Sequence, residues 1–449
     1  MTQNTQLKPQ KILRSRTKFI LLGSLYTSQF LPAAFFFQAL PIFLRQQGAS
    51  LQVIGLLSLL TLPWILKFLW APLVDRYGSR RWGHYKSWIV VTQCLLCLTL
   101  IACASIDSIS SDAFVLFQGV FLVVTLAATQ DIATDAIAVR MLLPSERGWG
   151  NGIQSAARAV GGLLGGGIML LALDRLGWQV SVWILAGGVM LALLPLLWYH
   201  EPDSVSNNGT AVQKAAVRSP VQPLTTPTTH RFHALKASAT HSISKYFETL
   251  LSFLQRPGAL IWLLFILLYA TGSSMAATMF RPLLVDLGLS MADIGWMTGI
   301  VGSSVAIAGS LLAGGLVQPI GRRRSLILFG VLQAIAVAAL TLPAVGVRNP
   351  IVLYIVSTGE VFARSVASTA LFTVMMDKSR SDTAGSDYTL QSSVYVLGHR
   401  VGVPAFSGFI AAALGYTGVF LIGFLVCLMS VWLAAKVVQK SERNSEQAL

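Results

Sequence analysis

The chain has 449 residues, of which 54% are hydrophobic and only 11% are charged. Soluble globular domains carry about 25% charged residues, so this composition excludes a soluble enzyme or binding module. The net charge of +15 would suit a nucleic-acid-binding protein, but the distribution of the charges, described below, indicates membrane topology instead. Many apolar stretches reach the roughly 18 residues that a helix needs to cross a bilayer, which predicts an all-α, multi-pass membrane protein.

The N-terminal segment 1–18 is polar and cationic. The apolar run after it is too long for a signal peptide and has no cleavage site of small residues, so we interpret it as a retained membrane span. The sequence predicts twelve spans, numbered 1 to 12 in chain order: 19–44, 51–73, 87–106, 113–141, 149–171, 178–199, 259–284, 291–317, 325–344, 351–376, 388–413 and 417–436.

Basic residues are unequally distributed between the two sides of the membrane. The N-terminal segment and the connections after spans 2, 4, 8 and 10 are rich in Lys and Arg, whereas the opposite connections hold only Arg45, Arg175 and Arg348. Because cytoplasmic connections are enriched in basic residues, both termini are predicted to lie in the cytoplasm. We expect a protein of the cytoplasmic (inner) membrane, with the lipid bilayer as a partner and no bound nucleic acid.

The predicted spans fall into two groups of six. Residues 200–257 are rich in Ser, Thr, Pro and Ala and cannot form a packed core, which predicts a flexible cytoplasmic linker. The linker separates an N-terminal six-helix bundle at 19–199 from a C-terminal bundle at 258–436, and 437–449 is predicted to be a cytoplasmic tail.

The two bundles also resemble each other in sequence. The stretch "APLVDRYGSRR" after span 2 aligns with "GGLVQPIGRRR" after span 8 at an offset of 243 residues, and "LGW" at 176–178 aligns with "LGY" at 414–416 at an offset of 238. A duplicated six-helix unit is typical of transporters that alternate access to a cargo site between their halves. We expect a small-molecule transporter that works as a monomer.

A membrane-embedded enzyme is the alternative from another functional class, and it requires a nucleophile with a base, or a metal cluster, at a membrane face. The sequence has no Ser-His-Asp arrangement, and only His399 of the six histidines lies within a span. Cys94, Cys97, Cys103 and Cys427 fit buried, inert thiols. No ATP-binding P-loop is present. We therefore expect no enzymatic activity, cofactor or metal site, and transport driven by a gradient, with protons as the expected coupling ion.

The loop after span 2 resembles the G-x-x-x-D-R-x-G-R-R motif of the major facilitator superfamily. Ala71 replaces the first glycine of the motif, and Ser79 is inserted before the arginine pair. The matching residues are Asp75, Arg76, Gly78, Arg80 and Arg81. The resemblance implies the fold of this superfamily, in which two pseudo-symmetric six-helix bundles enclose the cargo.

Three further stretches resemble a narrower branch: "LPWILKFLWAPLVDRYG", "QDIATDAIAV" and "LLPSERGWGNG". This branch contains the AmpG muropeptide permeases, the acetyl-CoA transporters and the rhizobactin- and pyochelin-type siderophore permeases. The stretches "FFFQALPIFLRQQG" and "WGHYKSW" lean towards the siderophore permeases. The resemblance thus implies import of a polar, anionic molecule, with a siderophore as the first expectation and a muropeptide permease or an exporter as the alternatives.

Two carboxylates interrupt span 4, where an ionised side chain costs at least ~2.5–3.5 kcal/mol on insertion scales and needs a partner inside the bundle. Asp131 and Asp135 are one helical turn apart and share one face. Either they pair permanently with Arg158, Lys67 or Arg140 and fix helix packing, or at least one of them exchanges partners or protons as the halves move. Of the two, Asp131 is the candidate for proton coupling.

Glu360 lies near the middle of span 10, one helical turn before Arg364. The pair is either a static ion pair or a site that takes up and releases a proton, and Glu360 is the leading candidate for proton coupling. His399 in span 11 is a second titratable group near mid-depth, and a simple interhelical hydrogen bond is the alternative role for it.

Cations outnumber acids inside the predicted spans, which favours a cargo that carries carboxylates. Spans 1 and 7 correspond in the repeat and carry polar and aromatic residues, which fit either a cavity lining or helix packing. The residues predicted to line the substrate cavity are Tyr26, Gln29, Phe37, Gln38, Tyr269, Ser273, Thr278, Arg281, Arg364 and Arg400.

The acidic and basic residues near the cytoplasmic ends of the spans are predicted to form a gate latch. In this latch Asp75 pairs with Arg140, and Glu146 pairs with Arg76 or Arg81. The alternative is that the basic residues only set the topology. The complete predicted gating and charge network consists of Lys67, Asp75, Arg76, Arg80, Arg81, Asp135, Arg140, Glu146 and Arg158.

Overall fold

The computed structural model describes residues 15–41, 44, 60–79, 81–106, 113–201, 248–401 and 403–446. Within these ranges the secondary structure is helical, apart from one isolated bridge between Ser79 and Gly83. The helices up to residue 201 are called the N half, and those from residue 248 onwards are called the C half. Residues 202–247 of the predicted linker, and Arg80, lie outside the described residues. The last part of the predicted linker differs from the expected flexible segment, because 248–254 is a helix that buries Leu250 and Phe253.

Spans 1 to 6 form the N half. Their helical segments are Ser15–Ala34 with a π-helical turn Phe35–Ala39, Leu62–Leu66 with a 3₁₀ turn Lys67–Leu69, Ala71–Arg76, His84–Ala104, Ala113–Met141, Arg147–Gly162 with a π-helical turn Leu163–Ile168, Met169–Leu191 and Leu194–Leu197.

Spans 7 to 12 form the C half. Their helical segments are 248–254, Ala259–Asp286, Met291–Ile294 with a π-helical turn Gly295–Val301, Gly302–Ile320, Arg322–Ala339, Thr341–Ala344, Pro350–Asp377, Ala384–Val396 with a π-helical turn Leu397–Val401, and Val403–Glu446.

Nine helices of the described residues are long and apolar enough to cross a membrane, and one of them runs for 51 residues, Arg147–Leu197. A straight helix of that length would be more than twice as long as the bilayer core is thick. Gly177, with φ of 74°, kinks the chain there and separates spans 5 and 6. Gly415, with φ of 69°, likewise separates spans 11 and 12. Glycine is the residue that adopts this backbone conformation at little cost.

The backbone conformations of four glycines support the internal repeat. Gly177 and Gly415 occupy the aligned "LGW" and "LGY" stretches, 238 residues apart. Gly83 and Gly321 are separated by the same number of residues, and each precedes a helix with similar angles, φ 98° and ψ 143° against φ 88° and ψ 150°. The structural equivalent of Gly321 is therefore Gly83, and not Gly78 as the aligned motif predicts.

Proline residues shape span 2. Pro63 and Pro72 each lie in the first turn of a short helix, where a missing backbone N–H costs little, and a 3₁₀ turn joins the two helices. Lys67 begins this turn and is buried. The sequence "LPWILKFLWAP" thus forms a broken span that points a lysine towards span 4.

Three hydrophobic clusters show how the halves meet. One cluster lies within the N half around Phe35, Leu100 and Val182, and another lies within the C half around Phe280 and Val419. The third and largest cluster contains side chains of both halves. The halves therefore share a core towards one end, called the closed end, and keep separate cores towards the other, called the open end.

Candidate functional site

A cavity of about 180 Å³ lies between the halves. Spans 1, 2, 4 and 5 of the N half and spans 10 and 11 of the C half contribute its walls. The residues that line it are Phe30, Ala33, Ala34, Phe37, Gln38, Thr61, Trp64, Lys67, Asp131, Asp135, Gln154, Arg158, Gly162, Phe372, Tyr388, Ser392, Tyr395, Val396, His399 and Arg400.

Lys67 and Asp131 form a buried ion pair in the wall of this cavity. The ammonium group of Lys67 also lies 5.4 Å from the ring centre of Trp64, a cation–π distance. Of the three partners that the sequence leaves open for the aspartates of span 4, the structure joins Lys67 to Asp131. Such a pair neutralises two charges that would be costly to bury separately.

Asp135, one turn further along span 4, is buried and forms no ion pair among the described residues. Its carboxylate accepts a hydrogen bond of 2.8 Å from the Tyr26 hydroxyl and a longer one of 3.4 Å from the Gln154 amide. Gln154 in turn accepts a hydrogen bond of 3.3 Å from the Tyr388 hydroxyl, across the boundary between the halves. Asp135 is therefore connected to the C half through hydrogen bonds.

On the C-half side of the cavity, His399 stacks on Tyr395 with ring centres 5.6 Å apart, and its Nδ1 forms a hydrogen bond with the Ser274 hydroxyl. Arg400 extends into the cavity, and its guanidinium lies 5.5 Å from the ring centre of Phe37 in the N half. The π-helical turn Leu397–Val401 brings these neighbouring side chains to the cavity wall.

Glu360 and Arg364 form the predicted ion pair, with Nε 2.8 Å from Oε1, but neither residue is part of the cavity lining. Glu360 is buried, and Arg364 is partly exposed. Arg281 of span 7 is likewise absent from the cavity lining. All three residues belong to the C half, the pair to span 10 and Arg281 to span 7.

The structure separates the predicted cavity residues into two groups. Phe37, Gln38 and Arg400 line the cavity, whereas the remaining seven do not. Several of the seven are buried in the packing of their own half: the Gln29 amide donates to Thr134, and the Tyr269 hydroxyl donates to the Leu326 carbonyl. The seven are Tyr26, Gln29, Tyr269, Ser273, Thr278, Arg281 and Arg364.

Several lining residues were not singled out by the sequence. In the sequence Trp64 and Phe372 look like ordinary apolar packing residues. Tyr388 and Tyr395 lie in span 11, where His399 was the clearest indication of a functional site. The broken pattern "QSSVYVLGHR", in which polar side chains recur within a span, is the feature that could have indicated the wall formed by span 11.

At the closed end, Asp75 connects the halves through hydrogen bonds, and within the described part of the chain it forms no ion pair. Its carboxylate accepts hydrogen bonds from the backbone N–H groups of Gly385, at 3.0 Å, and Ser386, at 2.7 Å, and from the Ser386 hydroxyl at 2.6 Å. These N–H groups begin span 11, where a helix attracts negative charge. The expected partner, Arg140, instead lies 3.8 Å from Glu201 in its own half.

A second connection at the closed end is an ion-pair triad. Asp377 of span 10 accepts hydrogen bonds of 2.8 Å from both Arg147 of the N half and Arg322 of the C half. Arg322 also donates a hydrogen bond to the Pro144 carbonyl across the boundary. The triad is absent from the predicted gating network, because its members lie far apart in the sequence and meet only when the halves come together.

Spans 5 and 8 touch through glycines at this end. A Cβ atom on Gly148 would lie 2.6 Å from the Gly314 carbonyl oxygen, and one on Gly152 would lie 2.7 Å from the Ser310 carbonyl oxygen. Both distances are far below van der Waals contact. Small residues thus allow the two backbones to approach closely, as in other tightly packed membrane helices.

The predicted partners of Glu146 also differ from those observed. Its carboxylate accepts hydrogen bonds of 2.7 Å from Lys18 and from the Ser15 hydroxyl, so it ties span 1 to the connection after span 4. Arg76 lies over Tyr77 instead, and Arg81 is exposed. The contact with Glu146 is therefore within the N half.

The Glu146 contact predicts a dependence of stability on pH. Burial raises the pKa of this carboxyl, but the hydrogen bonds from Lys18 and Ser15 outweigh burial and hold it below its ordinary value of 4.5. The contact therefore stabilises the folded state above pH 4.5 and is lost as the pH falls below it. We expect wild type to melt at a higher temperature than Glu146→Gln at pH 7, and the difference to shrink as the pH falls below 4.5 and the carboxyl becomes protonated. A difference that stays unchanged below pH 4.5 would contradict this.

Comparisons with known proteins agree with this architecture. The family model described as Major Facilitator Superfamily matches residues 22–403. The anhydromuropeptide permease of Escherichia coli K12 is 26% identical over 398 residues, which cover 87% of this chain and 74% of the permease. The putative transporter AmpG 4 of Rickettsia conorii is 24% identical over 90% of this chain and 92% of its own.

Among solved structures, the fucose:proton symporter of E. coli superposes with a TM-score of 0.65 over 94% of this chain and 98% of the symporter, at 13% identity. At this identity the likeness concerns the fold alone. The relatives named here do not support the lean towards siderophore permeases, and they agree with the alternative branch member, the muropeptide permeases.

Proposed function

Because the chain belongs to the major facilitator superfamily, we propose that this secondary transporter carries anhydromuropeptides, the peptide-bearing sugars of the cell wall, into the cytoplasm. The observation that carries the proposal is the similarity to the anhydromuropeptide permease of E. coli over 87% of the chain. The excess of cations in and around the cavity supports a cargo with free carboxylates.

The proposed mechanism is alternating access. The connections rich in Lys and Arg lie at the closed end, so we assign this end to the cytoplasm. The cavity then faces outwards in this conformation, ready to receive cargo. For the cargo to be released inside, the hydrogen bonds of Asp75 to span 11 and the ion pairs of the Arg147–Asp377–Arg322 triad have to break. The separate hydrophobic cores at the open end then have to come together.

The proton gradient is the proposed driving force, with three candidate groups. Asp131 and His399 lie at the cavity wall, where cargo and solvent reach them. Glu360 lies behind the wall, held by Arg364. Each is partnered in this conformation, and a change of partner during the transition would let it accept or release a proton.

The direct test is uptake into proteoliposomes with an imposed inward proton gradient. The vesicles are offered a labelled anhydromuropeptide, a ferric siderophore or a neutral sugar, each in parallel vesicles without a gradient. We expect accumulation of the anhydromuropeptide above its external concentration, and only with the gradient. If the siderophore is taken up instead, the cargo first expected from the sequence is correct. If none of the probes is taken up, the proposed cargo is wrong.

Glu360→Gln is expected to abolish accumulation and to retain exchange of internal for external cargo. The amide resembles the protonated acid and cannot release a proton, so coupling is lost while the cavity stays intact. A loss of at least tenfold in the accumulation ratio is expected. Asp174→Asn, an exposed position outside the cavity, serves as the matched control. If Glu360→Gln still concentrates cargo, Glu360 is structural and coupling rests on Asp131 or His399.

A further inference from the structure

Two arginines reach the cavity, one from each half. Arg158 comes from span 5 and Arg400 from the π-helical turn of span 11. Within the described residues neither forms an ion pair, whereas the third cation of the wall, Lys67, is paired with Asp131. Both guanidinium groups line the same cavity, so their like charges disfavour each other there.

The guanidinium group of Arg158 is held by aromatic rings and, among the described residues, not by an ion pair. Its guanidinium lies between two aromatic rings, 4.7 Å from the ring centre of Phe30 in span 1 and 5.1 Å from that of Phe372 in span 10. Its Nε atom is buried and has no hydrogen-bond partner in the described part of the chain. A buried donor without an acceptor costs free energy, so the site is complete only when an acceptor enters it.

Arg400 faces the same space from the opposite wall. Its side chain is exposed within the cavity, and the guanidinium packs against Phe37. The remaining carboxylate of the wall, Asp135, accepts hydrogen bonds from Tyr26 and Gln154 and does not contact either arginine through a hydrogen bond. An anion that enters between Arg158 and Arg400 would therefore meet two fixed positive charges and unoccupied N–H donors.

We propose that Arg158 and Arg400 together bind one carboxylate of the cargo and thereby connect the two halves. The identity of the cargo rests on the proposed function, but the choice of these two residues rests on the cavity itself. A carboxylate accepts hydrogen bonds from two guanidinium groups at once, and it removes their mutual repulsion. Bound cargo thus supplies the attraction that lets the C half approach the N half around it. Arg281 and Arg364, the other cations predicted for this role, lie outside the cavity lining.

The test measures binding to the purified protein in lipid nanodiscs by calorimetry. The probes are an anhydromuropeptide with free carboxylates and the same compound with its carboxylates converted to amides. Arg158→Gln and Arg400→Gln are compared with wild type, and Arg348→Gln, at an exposed position in the connection between spans 9 and 10, is the matched control. Binding of the amidated probe and the melting temperature report whether each variant is folded.

We expect wild type and the control to bind the free acid at least tenfold more tightly than the amide. Each cavity variant should lose most of this preference while still binding the amide, and the double variant should lose little more than either single one. If both variants keep the wild-type preference, the assignment is wrong. If wild type binds neither probe, the proposed cargo is wrong. The role of the two arginines is then tested by titrating wild type and the variants with citrate and with a ferric carboxylate siderophore. If wild type binds none of these carboxylates, or if the variants bind them as tightly as wild type does, Arg158 and Arg400 do not bind a cargo carboxylate.

Discussion

Replacing Lys67 by Met is expected to lower the free energy of unfolding by about 3–5 kcal/mol, because it leaves Asp131 buried without its cation. Asp135 lies one turn away and adds a second acidic group to the same wall. Unfolding of the variant by SDS in mixed micelles measures the loss. Lys436→Met removes an exposed lysine at the end of span 12 and is expected to change the stability by less than about 0.5 kcal/mol.

A double variant distinguishes the effect of an unpaired buried charge from the effect of changed side-chain packing. In the double variant Lys67→Met/Asp131→Leu both charges are absent, and replacing a whole buried pair by apolar residues is often neutral or stabilising. We expect the double variant to recover most of the lost stability and to fail in transport. If Lys67→Met is no less stable than Lys436→Met, the pair does not hold spans 2 and 4 together.

Replacing Gly152 by Ala is expected to shift the protein away from the outward-open conformation. The new Cβ would lie 2.7 Å from the Ser310 carbonyl oxygen and 3.1 Å from the Gly314 Cα atom, and these backbone atoms cannot move without separating spans 5 and 8. Overpacking of this kind costs about 1–3 kcal/mol. Because 1.4 kcal/mol corresponds to a factor of ten in an equilibrium constant, the ratio of the closed to the open cytoplasmic end should fall by about fivefold or more.

The shift is measured as a distance between spin labels at the cytoplasmic end. Leu143 of the N half and Arg324 of the C half are exposed and suit labelling. Double electron–electron resonance should show a longer distance for Gly152→Ala than for wild type. Gly187→Ala, where a Cβ would meet open space, is the control and should leave the distribution unchanged. Identical distributions for both variants would show that the glycine contact does not govern closure.

Much of the architecture follows from local sequence features. Hydropathy indicates the spans, and the "LGW" and "LGY" stretches, aligned in the sequence as part of the repeat, lie where Gly177 and Gly415 kink the chain. The pair Glu360–Arg364 follows from its spacing, since side chains four residues apart on a helix meet. Such features depend on neighbours in sequence, so a single chain is enough to find them.

The contacts between the halves could not be predicted in the same way. Asp75 bonds to the backbone of Gly385 and Ser386, which lie about 310 residues further along the chain. Backbone N–H groups occur at nearly every residue and leave no trace in the side-chain pattern, so Arg140 was the obvious but incorrect partner. The cavity lining depends likewise on how the halves are placed. Phe372 meets Arg158 because spans 5 and 10 come together, which no local period indicates.

The most direct test of the central claim is a measurement of how cargo changes the distances at both ends of the protein. One pair of spin labels is placed at Leu143 and Arg324 at the closed end, and the other at Phe114 and Arg348 at the open end, all exposed positions. We expect an anhydromuropeptide, added at saturating concentration together with acidic pH, to lengthen the first distance and shorten the second, and its amidated form to change neither. Distances that stay constant at both ends, or that lengthen together, would contradict alternating access around a cargo bound in this cavity.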